Sequence, residues 1–333
     1  MPEGFTAILI AVLGLAVLFD YINGFHDTAN AIATSVSTRA LKPQWAIAMS
    51  ATANFAGALT GTAVAKTIGA GLIAPQAEGG VVVAAALVGA ITWDLITWRF
   101  GVPSSSSHAL IGGLLGASAA AVGFGAWKMD GILGKVIFPL VTSPIAGFLV
   151  GFMVMVVIFN LFRRAHPKTM NDRFRRLQVL SAGFMAFSHG SNDAQKTMGV
   201  MTLALVTAGI IPDFKVPFLV IVAAATAMSL GTAAGGWRII KTMGTKVVKL
   251  DPVHGFAAET SAATIIFGAS TLGMPVSTTH VISSAILGAG SSDRFNAVHW
   301  GVARNIGIAW VVTLPASGIV AALSYLVLHP LFG

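Results

Sequence analysis

The chain has 333 residues, of which 55% are hydrophobic and 10% are charged. A soluble domain usually carries about 25% charged residues, so this composition indicates a polytopic membrane protein. The net charge is +8, but the basic residues lie mostly between apolar runs, without interleaved aromatic residues, which argues against nucleic-acid binding. The absence of cysteine excludes disulfides, iron–sulfur clusters and thiolate zinc sites.

Uncharged runs recur along the whole chain, and each half contains the same four predicted units in the same order. These units are a broken helix pair, a spanning helix, two apolar pieces that meet at a Gly-x-Pro sequence, and a last helix. We expect them at 5–39, 43–66, about 80–122 and 136–162 in the first half, and at 177–210, 216–240, about 255–290 and 298–328 in the second. The first helix lacks a preceding basic segment, so it is interpreted as a membrane helix rather than a signal peptide.

Three short motifs of the first half recur in the second half, in the same order and at nearly constant spacing. They pair residues 24–30 (GFHDTAN) with 190–196 (GSNDAQK), 61–69 (GTAVAKTIG) with 236–244 (GWRIIKTMG), and 103–108 (PSSSSH) with 275–280 (PVSTTH). This order predicts an internal duplication. Because each predicted half crosses the membrane an odd number of times, the two repeats would have inverted topology, as in secondary transporters.

The most hydrophilic segment, residues 163–176, lies between the predicted repeats and contains six Lys or Arg residues and one acidic residue. By the positive-inside rule this connecting loop is expected to be cytoplasmic, with both termini outside. The first repeat then covers residues 1–162 and the second covers 177–333. The loop is interpreted as a solvated connector rather than a lipid or partner site. Asp94, close to Arg99, is likewise interpreted as an ion pair at the membrane interface.

A polar stripe follows one face of the first predicted helix. Its members recur at helical spacing: Asp20, Asn23, Asp27, Asn30 and Thr34. Gly24 offers a point where the helix could unwind. A carboxylate inside a membrane helix is costly unless it is paired, hydrated or bound to a cation, so Asp27 predicts a functional site. The alternative is a structural ion pair with Lys196 or Arg304, but Asp193 repeats the carboxylate in the second half.

The second-half motif also supplies oxygen ligands beside its carboxylate. Asn192, Asp193 and Gln195 offer one negative charge and several neutral oxygens, which suits a hard cation such as Na+. Glu259, near the start of the second apolar pair, is a further candidate, although its first-half counterpart near Leu87 is apolar. Zinc is not expected, because the motif histidines lack the close spacing of metal ligands on one helix. These histidines are His26, His108, His189 and His280.

The hydroxyl clusters 103–108 and 275–280 each follow a Gly-x-Pro break and precede an apolar helix. Proline at a helix start with Ser or Thr beside it leaves N–H groups and hydroxyl donors together at the positive end of the helix dipole. We expect the two clusters to face one point near the midplane and to hold a tetrahedral anion. Helix N-capping is the alternative, but it needs only one hydroxyl. An anion beside Asp27 and Asp193 would be repelled without bound cations, so symport is predicted.

In these motifs the chain resembles the inorganic phosphate transporter family, PiT, in its prokaryotic sodium/phosphate symporter form. The resemblance lies in residues 24–31 (GFHDTANA) and 190–195 (GSNDAQ), and the hydroxyl motifs are similar to that family's hairpin tips. It covers essentially the whole chain. It implies an all-α polytopic membrane protein of two inverted repeats, with discontinuous helices and two re-entrant hairpins, that is often dimeric. One departure is His26, where the family often has Asn.

The residues and the resemblance together give the expected sites. The expected phosphate-binding residues are Ser105, Ser106, Ser107, Ser277, Thr278, Thr279, Asp27, Asp193 and Gln195. The expected sodium-binding residues are Asp27, Asn30, Asn23, Asn192, Asp193 and Glu259. Neither a cofactor nor a metal other than sodium is expected.

We therefore predict a phosphate symporter of the plasma membrane, with Na+ preferred over H+, that forms a homodimer. His26 and His189 could relay protons, so coupling to H+, with phosphate alone or as a metal complex, is the alternative. Sulfate and arsenate, also tetrahedral oxyanions, are alternative substrates. An anion channel is another possibility. An intramembrane Ser/His hydrolase is disfavoured, because the chain has neither a Gly-x-Ser-x-Gly nor a Gly-x-Gly-Asp motif.

Overall fold

The computed structural model describes residues 3–74 and 79–332, and within them the chain forms twelve α-helices and two short 3₁₀ helices, Phe124–Ala126 and Phe295–Ala297. The first six are α1 (Glu3–Ser37), α2 (Pro43–Ala58), α3 (Ala63–Gly71), α4 (Gly80–Phe100), α5 (Ser106–Val122) and α6 (Met129–Phe162). The last six are α7 (Pro167–Thr207), α8 (Phe218–Ala234), α9 (Trp237–Lys246), α10 (Pro252–Thr271), α11 (Thr278–Ser291) and α12 (Trp300–Phe332). The fold is all-α, as predicted, and six helices lie on each side of the central basic segment.

Several of the described helices have the length and apolar composition of membrane spans. Four spans meet these criteria: Ala7–Ser37, Gly80–Phe100, Met129–Phe162 and Trp300–Phe332. The pair α8 and α9, which is bent by 60°, makes a fifth if it counts as one span. These lengths agree with the predicted membrane protein.

The helix breaks predicted beside Gly24 and Gly190 are wrong, because α1 and α7 run through both glycines without interruption. A Cβ atom at Gly24 would lie 2.3 Å from the carbonyl oxygen of Met228, and one at Gly190 would lie 2.2 Å from that of Asn54. Each glycine therefore lets a neighbouring helix, α8 or α2, pack in direct backbone contact. The predicted broken pairs are single long helices.

The discontinuity lies instead in the predicted spanning helices 43–66 and 216–240. Residues 59–62 divide the first into α2 and α3, and Gly235 and Gly236 divide the second into α8 and α9. Gly235 has a φ of +74°, through which a right-handed helix does not continue. Both halves therefore contain discontinuous helices, but the break lies in the predicted spanning helix rather than in the predicted broken pair before it.

The two apolar pairs predicted at about 80–122 and 255–290 form the helix pairs α4–α5 and α10–α11. Both are interrupted at the Gly-x-Pro sequence, where Gly101 has a φ of +66° and Gly273 a φ of +69°. Residues with a Cβ atom rarely adopt such values. The same backbone geometry therefore ends the first helix of each pair.

Most of the predicted connecting loop 163–176 is helical, because α7 begins at Pro167. The His166 side chain caps this helix by accepting a hydrogen bond from the Lys168 N–H at 3.3 Å, and proline suits the first helical position. The remaining residues, 163–166, form the connection to α6. All six basic residues of the segment are exposed.

Helices of one half pack against helices of the other half. α5 packs against α12 and α11 against α6, whereas α1 packs against α8 and α7 against α2. Small residues allow the close approach: a Cβ at Gly112 would lie 2.4 Å from the Leu314 carbonyl oxygen, and one at Gly151 would lie 2.6 Å from that of Ala285. α1 also packs against α7, and the polar motif residues of both helices are buried.

Candidate functional site

The polar stripe of α1 and the second-half motif of α7 meet where these helices pack together. The Nε2 atom of His189 lies 3.6 Å from Oδ2 of Asp193 and 4.0 Å from Oδ2 of Asp27. One ligand atom from each of the three residues falls within 4.8 Å of the others, and all three side chains are buried. The structure thus brings the two predicted carboxylates together, with a histidine beside them.

Hydrogen bonds orient two histidines beside these carboxylates. His26 Nδ1 lies 2.6 Å from Oδ1 of Asp27, and its Nε2 lies 3.0 Å from the Thr97 hydroxyl. His189 Nδ1 lies 3.0 Å from Oδ1 of Asn54. Because an amide oxygen only accepts, Nδ1 of His189 donates this bond. The Nε2 atom of His189 therefore faces the two carboxylates.

The hydroxyl cluster at the start of α11 contacts both motifs. The Asn30 amide donates to the Thr279 hydroxyl at 2.9 Å and to the Thr278 hydroxyl at 3.4 Å. The Thr278 hydroxyl in turn donates to Oδ2 of Asp193 at 3.3 Å. This cluster is therefore in direct contact with the predicted ion ligands of both halves.

Lys196 connects the two hydroxyl clusters to the carboxylate of α7. Its ammonium donates to Oδ1 of Asp193 at 2.6 Å, to the Val276 carbonyl oxygen at 3.0 Å and to the Ser107 hydroxyl. The side chain is only 2% exposed. A cation is thus built into the site between the starts of α5 and α11.

Asp27 has no lysine or arginine partner within the described residues. Lys196 pairs with Asp193, and Arg304 is exposed, so the structural ion pair considered for Asp27 is wrong. The basic side chains within 4.0 Å of its carboxylate in the described residues are His26 and His189.

The two hydroxyl clusters also contact each other. The ring centroids of His108 and His280 lie 4.7 Å apart in a T-shaped arrangement. The His280 ring stacks on Trp310 with centroids 4.0 Å apart. Aromatic packing therefore joins the first turns of α5 and α11.

Ser105 and Ser277 are the N-caps of α5 and α11. Their hydroxyl oxygens accept hydrogen bonds at 3.2 Å from the backbone N–H groups of His108 and His280, respectively. N-capping, the alternative considered for these clusters, thus applies to one serine in each, and each still has a hydroxyl proton to donate. The other predicted phosphate ligands of the clusters lie in the first helical turns and are buried. They are Ser106, Ser107, Thr278 and Thr279.

Within residues 3–74 and 79–332, three predicted sodium ligands have a buried amide oxygen without a hydrogen-bond partner. These oxygens belong to Asn23, Asn30 and Asn192. Buried polar atoms normally have a partner, and a hard cation binds neutral oxygens of this kind. The amide nitrogen of Asn192 donates to the Ser270 hydroxyl at 2.9 Å, which fixes the orientation of its free oxygen.

Gln195 makes its hydrogen bonds to the backbone. Its side-chain oxygen accepts from the Val64 N–H at 2.8 Å, and its amide nitrogen donates to the Ser191 carbonyl oxygen at 2.6 Å. Both ends of this amide are thereby occupied at the start of α3 and within α7. Its role as a phosphate ligand stays a prediction without support from these contacts.

Glu259 forms a second buried group of polar residues, here called the Glu259 cluster. Its carboxylate accepts hydrogen bonds from the Thr34 hydroxyl, from the Ser181 hydroxyl at 2.5 Å and from the Gln178 amide at 3.3 Å. In the part of the chain that the structure describes, this carboxylate has no lysine or arginine partner. Its role as a sodium ligand stays a prediction, for a position apart from the central carboxylates.

Two buried residues, His189 and Asp94, are not among the predicted ligands. His189 lies four residues before Asp193, so helical spacing already placed both on one face of α7. Asp94 is buried whereas Arg99 is exposed, and the predicted interfacial ion pair between them is wrong. Asp94 instead lies near Ser106, at the first turn of α5. Its place in the packed helix pair has no signal in local sequence.

The model of the phosphate transporter family matches residues 23–321. A probable low-affinity inorganic phosphate transporter of Bacillus subtilis (strain 168) is 50% identical over 328 residues, which cover 98% of each chain. One of Rhizobium meliloti (strain 1021) is 48% identical, with 96% of each chain covered. A solved structure described as "The sodium-dependent phosphate transporter" is 27% identical and superposes with a TM-score of 0.90, covering 97% of this chain and 99% of that one. The chain therefore belongs to the phosphate transporter family and is a membrane transporter rather than an enzyme.

Proposed function

We propose that this protein imports inorganic phosphate across the plasma membrane by symport with Na+. The observation that carries the proposal is the convergence of two buried carboxylates, Asp27 and Asp193, beside two hydroxyl-rich helix starts. Hydroxyl groups and helix N-termini attract an anion, whereas the carboxylates repel it. An anion and a cation therefore bind more favourably together than alone, and this mutual dependence is the basis of symport.

The proposed phosphate ligands are the hydroxyl groups at the starts of α5 and α11. Ser105–Ser107 and Ser277–Thr279 supply neutral donors, and the contact of Thr278 with Asp193 connects them to the ion ligands. The carboxylates would contact phosphate through a shared cation or proton. Gln195 would have to release its present hydrogen bonds to reach the anion.

Na+ is the proposed coupling ion because neutral oxygens accompany the carboxylates on both central helices. The proposed ligands are Asp27, Asn23, Asn30, Asn192 and Asp193, with Glu259 at a separate position. The similarity to a structure described as a sodium-dependent phosphate transporter supports this choice.

Coupling to H+ is the second candidate, and the buried pair of His26 and Asp27 favours it. Their side chains are 2.6 Å apart, and a histidine beside a carboxylate can take up and release a proton near neutral pH. Proton coupling would use the same carboxylate without a metal-ion site.

The proposed architecture consists of inverted repeats at 1–162 and 177–333, joined by the basic segment 163–176 on the cytoplasmic side, with both termini outside. The equal order of six helices in each half and the exchange of helices between halves support it. The matching breaks at Gly101 and Gly273 support two re-entrant hairpins, α4–α5 and α10–α11. Alternating access would expose the central site to each side in turn. The family resemblance supports a homodimer.

Purified protein in liposomes tests the coupling. We expect phosphate uptake under an inward Na+ gradient at equal pH on both sides, and loss of at least about nine-tenths of the rate in Asp27→Asn, because a buried ion ligand is removed. Asp213→Asn, at an exposed acid, is the matched control. Uptake driven equally well by a pH gradient without Na+ would contradict sodium coupling, and stronger competition by sulfate or arsenate than by phosphate itself would contradict the substrate.

A further inference from the structure

The side chain of Lys196 is a buried cation whose three donors are all used. The ammonium group donates to the Asp193 carboxylate at 2.6 Å, to the Val276 carbonyl oxygen at 3.0 Å and to the Ser107 hydroxyl. An ammonium has three N–H donors, so the position of its charge is fixed by α7 and by both hydroxyl clusters. Such a group occupies the space next to Oδ1 of Asp193 that a bound metal cation would otherwise take.

The duplicated motif places a different residue at the matching position of the first half. Alignment of residues 24–30 with 190–196 pairs Asp27 with Asp193, and Asn30 with Lys196. Asn30 contacts the hydroxyl cluster of the second half, and Lys196 contacts that of the first half. The two residues thus each contact the hydroxyl cluster of the opposite half, but one is a neutral amide with an unpartnered oxygen within the described residues and the other is an ammonium.

Because of this difference, different groups balance the negative charges of Asp27 and Asp193. Asp193 is neutralised by a cation that belongs to the chain, at 2.6 Å. The basic side chains within 4.0 Å of the Asp27 carboxylate in the described residues are histidines. A metal cation that approached Oδ1 of Asp193 would be repelled by the fixed ammonium at close range in a buried, weakly screened site. On the side of Asp27, Asn30 follows three residues later on α1 and offers a neutral oxygen that has no hydrogen-bond partner within the described residues.

We propose that Lys196 is a resident cation that replaces a second coupling ion. Phosphate binding then requires one mobile cation, held by Asp27 with Oδ2 of Asp193, and none at the Oδ1 atom of Asp193 that Lys196 neutralises. This inference rests on the proposed sodium symport and adds its stoichiometry. Lys196 is then a positioning residue, which holds positive charge where phosphate approaches the α5 hydroxyls and removes the repulsion from Asp193.

The number of Na+ ions bound or transported per phosphate tests this role. We expect Lys196→Gln to require one additional Na+ per phosphate, seen as a steeper Na+ dependence of phosphate binding and a higher ratio of sodium to phosphate flux. Lys196→Arg retains the charge and should keep the wild-type ratio. Lys241→Gln removes an exposed lysine and is the matched control. An unchanged ratio in a folded Lys196→Gln protein would overturn the proposal.

A second pair of variants keeps the test decisive if Lys196→Gln does not fold. Asp27→Asn should lower the steepness of the Na+ dependence, whereas Asp193→Asn should leave that steepness unchanged. Equal loss of steepness in both variants would overturn the role of Lys196. If wild-type phosphate binding is independent of Na+, the proposed coupling itself fails. Wild-type Na+ dependence combined with the overturning result fails only the present inference.

Discussion

The helices α4 and α10 have equivalent places in the two halves but bury different residues. When Gly101 is aligned with Gly273, Leu87 coincides with Glu259. Leu87 is fully buried in an apolar cluster, whereas Glu259 accepts three hydrogen bonds from α1 and α7. The residues around these two positions also differ in polarity, with polar side chains around Glu259 and apolar ones around Leu87. By the motif alignment, Thr34 and Gln178 of the Glu259 cluster coincide with the apolar residues Val200 and Val12, which belong to the same apolar cluster as Leu87.

Closer to the break in each helix pair, the first half carries the acidic residue and the second half carries the apolar one. Asp94 of α4 coincides with Ile266 of α10, which is buried in an apolar cluster. Each pair therefore carries one buried carboxylate, at a different level along the helix. The backbone breaks and the hydroxyl clusters, in contrast, occur in both halves. Asp94 and Glu259 each have an apolar residue at the matching position of the other half, unlike Asp27 and Asp193, which match each other.

A carboxylate introduced at the apolar position of Leu87 in α4 should have the largest effect on stability. Leu87→Glu places a carboxylate among apolar side chains with no donor to receive it, and we expect a loss of about 4 kcal/mol in the free energy of unfolding. Unfolding of the purified protein in detergent measures the change. Leu87→Met keeps the volume and should cost less than about 1.5 kcal/mol. Equal stability of both variants would mean that this region already admits water or a counter-charge.

Removal of the Glu259 carboxylate from α10 should lower the stability by a smaller amount. Glu259→Leu leaves the donors of Thr34, Ser181 and Gln178 without their acceptor, and we expect a loss of about 3 kcal/mol, partly offset by burial of the leucine. The control Glu259→Gln keeps one acceptor oxygen and should cost about 1 kcal/mol. The same detergent unfolding experiment applies. A leucine variant as stable as the wild type would contradict the view that the carboxylate organises this cluster.

Substitutions at the two shared breaks should have the smallest effects, and these effects should be equal. Gly101→Ala and Gly273→Ala each force a Cβ atom into a left-handed conformation, at a cost of about 1 kcal/mol. In both cases the new atom would also lie close to a carbonyl oxygen, at 3.2 Å from Arg238 and 3.1 Å from Ala63. Gly301→Ala, in open space, is the control. Clearly different losses at the two breaks would mean that the helix pairs are not equivalent.

Local sequence was sufficient wherever a feature depends on one helix or one short motif. The stripe from Asp20 to Thr34 is buried on α1, as its spacing predicted, and the serine and threonine clusters start helices at the expected positions. The interpretation of Gly24 failed for a definite reason. Glycine permits unwinding and close helix packing equally well, and the choice depends on α8, which is more than 190 residues away in sequence.

The sequence by itself determined the class of protein, the motifs that recur in its two halves and the residues that are expected to carry the ion chemistry. These follow from composition, from helical periodicity and from motifs that occur twice. Only the tertiary structure decided how the charges are paired: His189 lies between the two carboxylates, Lys196 pairs with Asp193 rather than Asp27, and Glu259 lies in a cluster of its own. Periodicity identifies which face of a helix is polar, but the partner of a buried charge is set by which helices cross at that level.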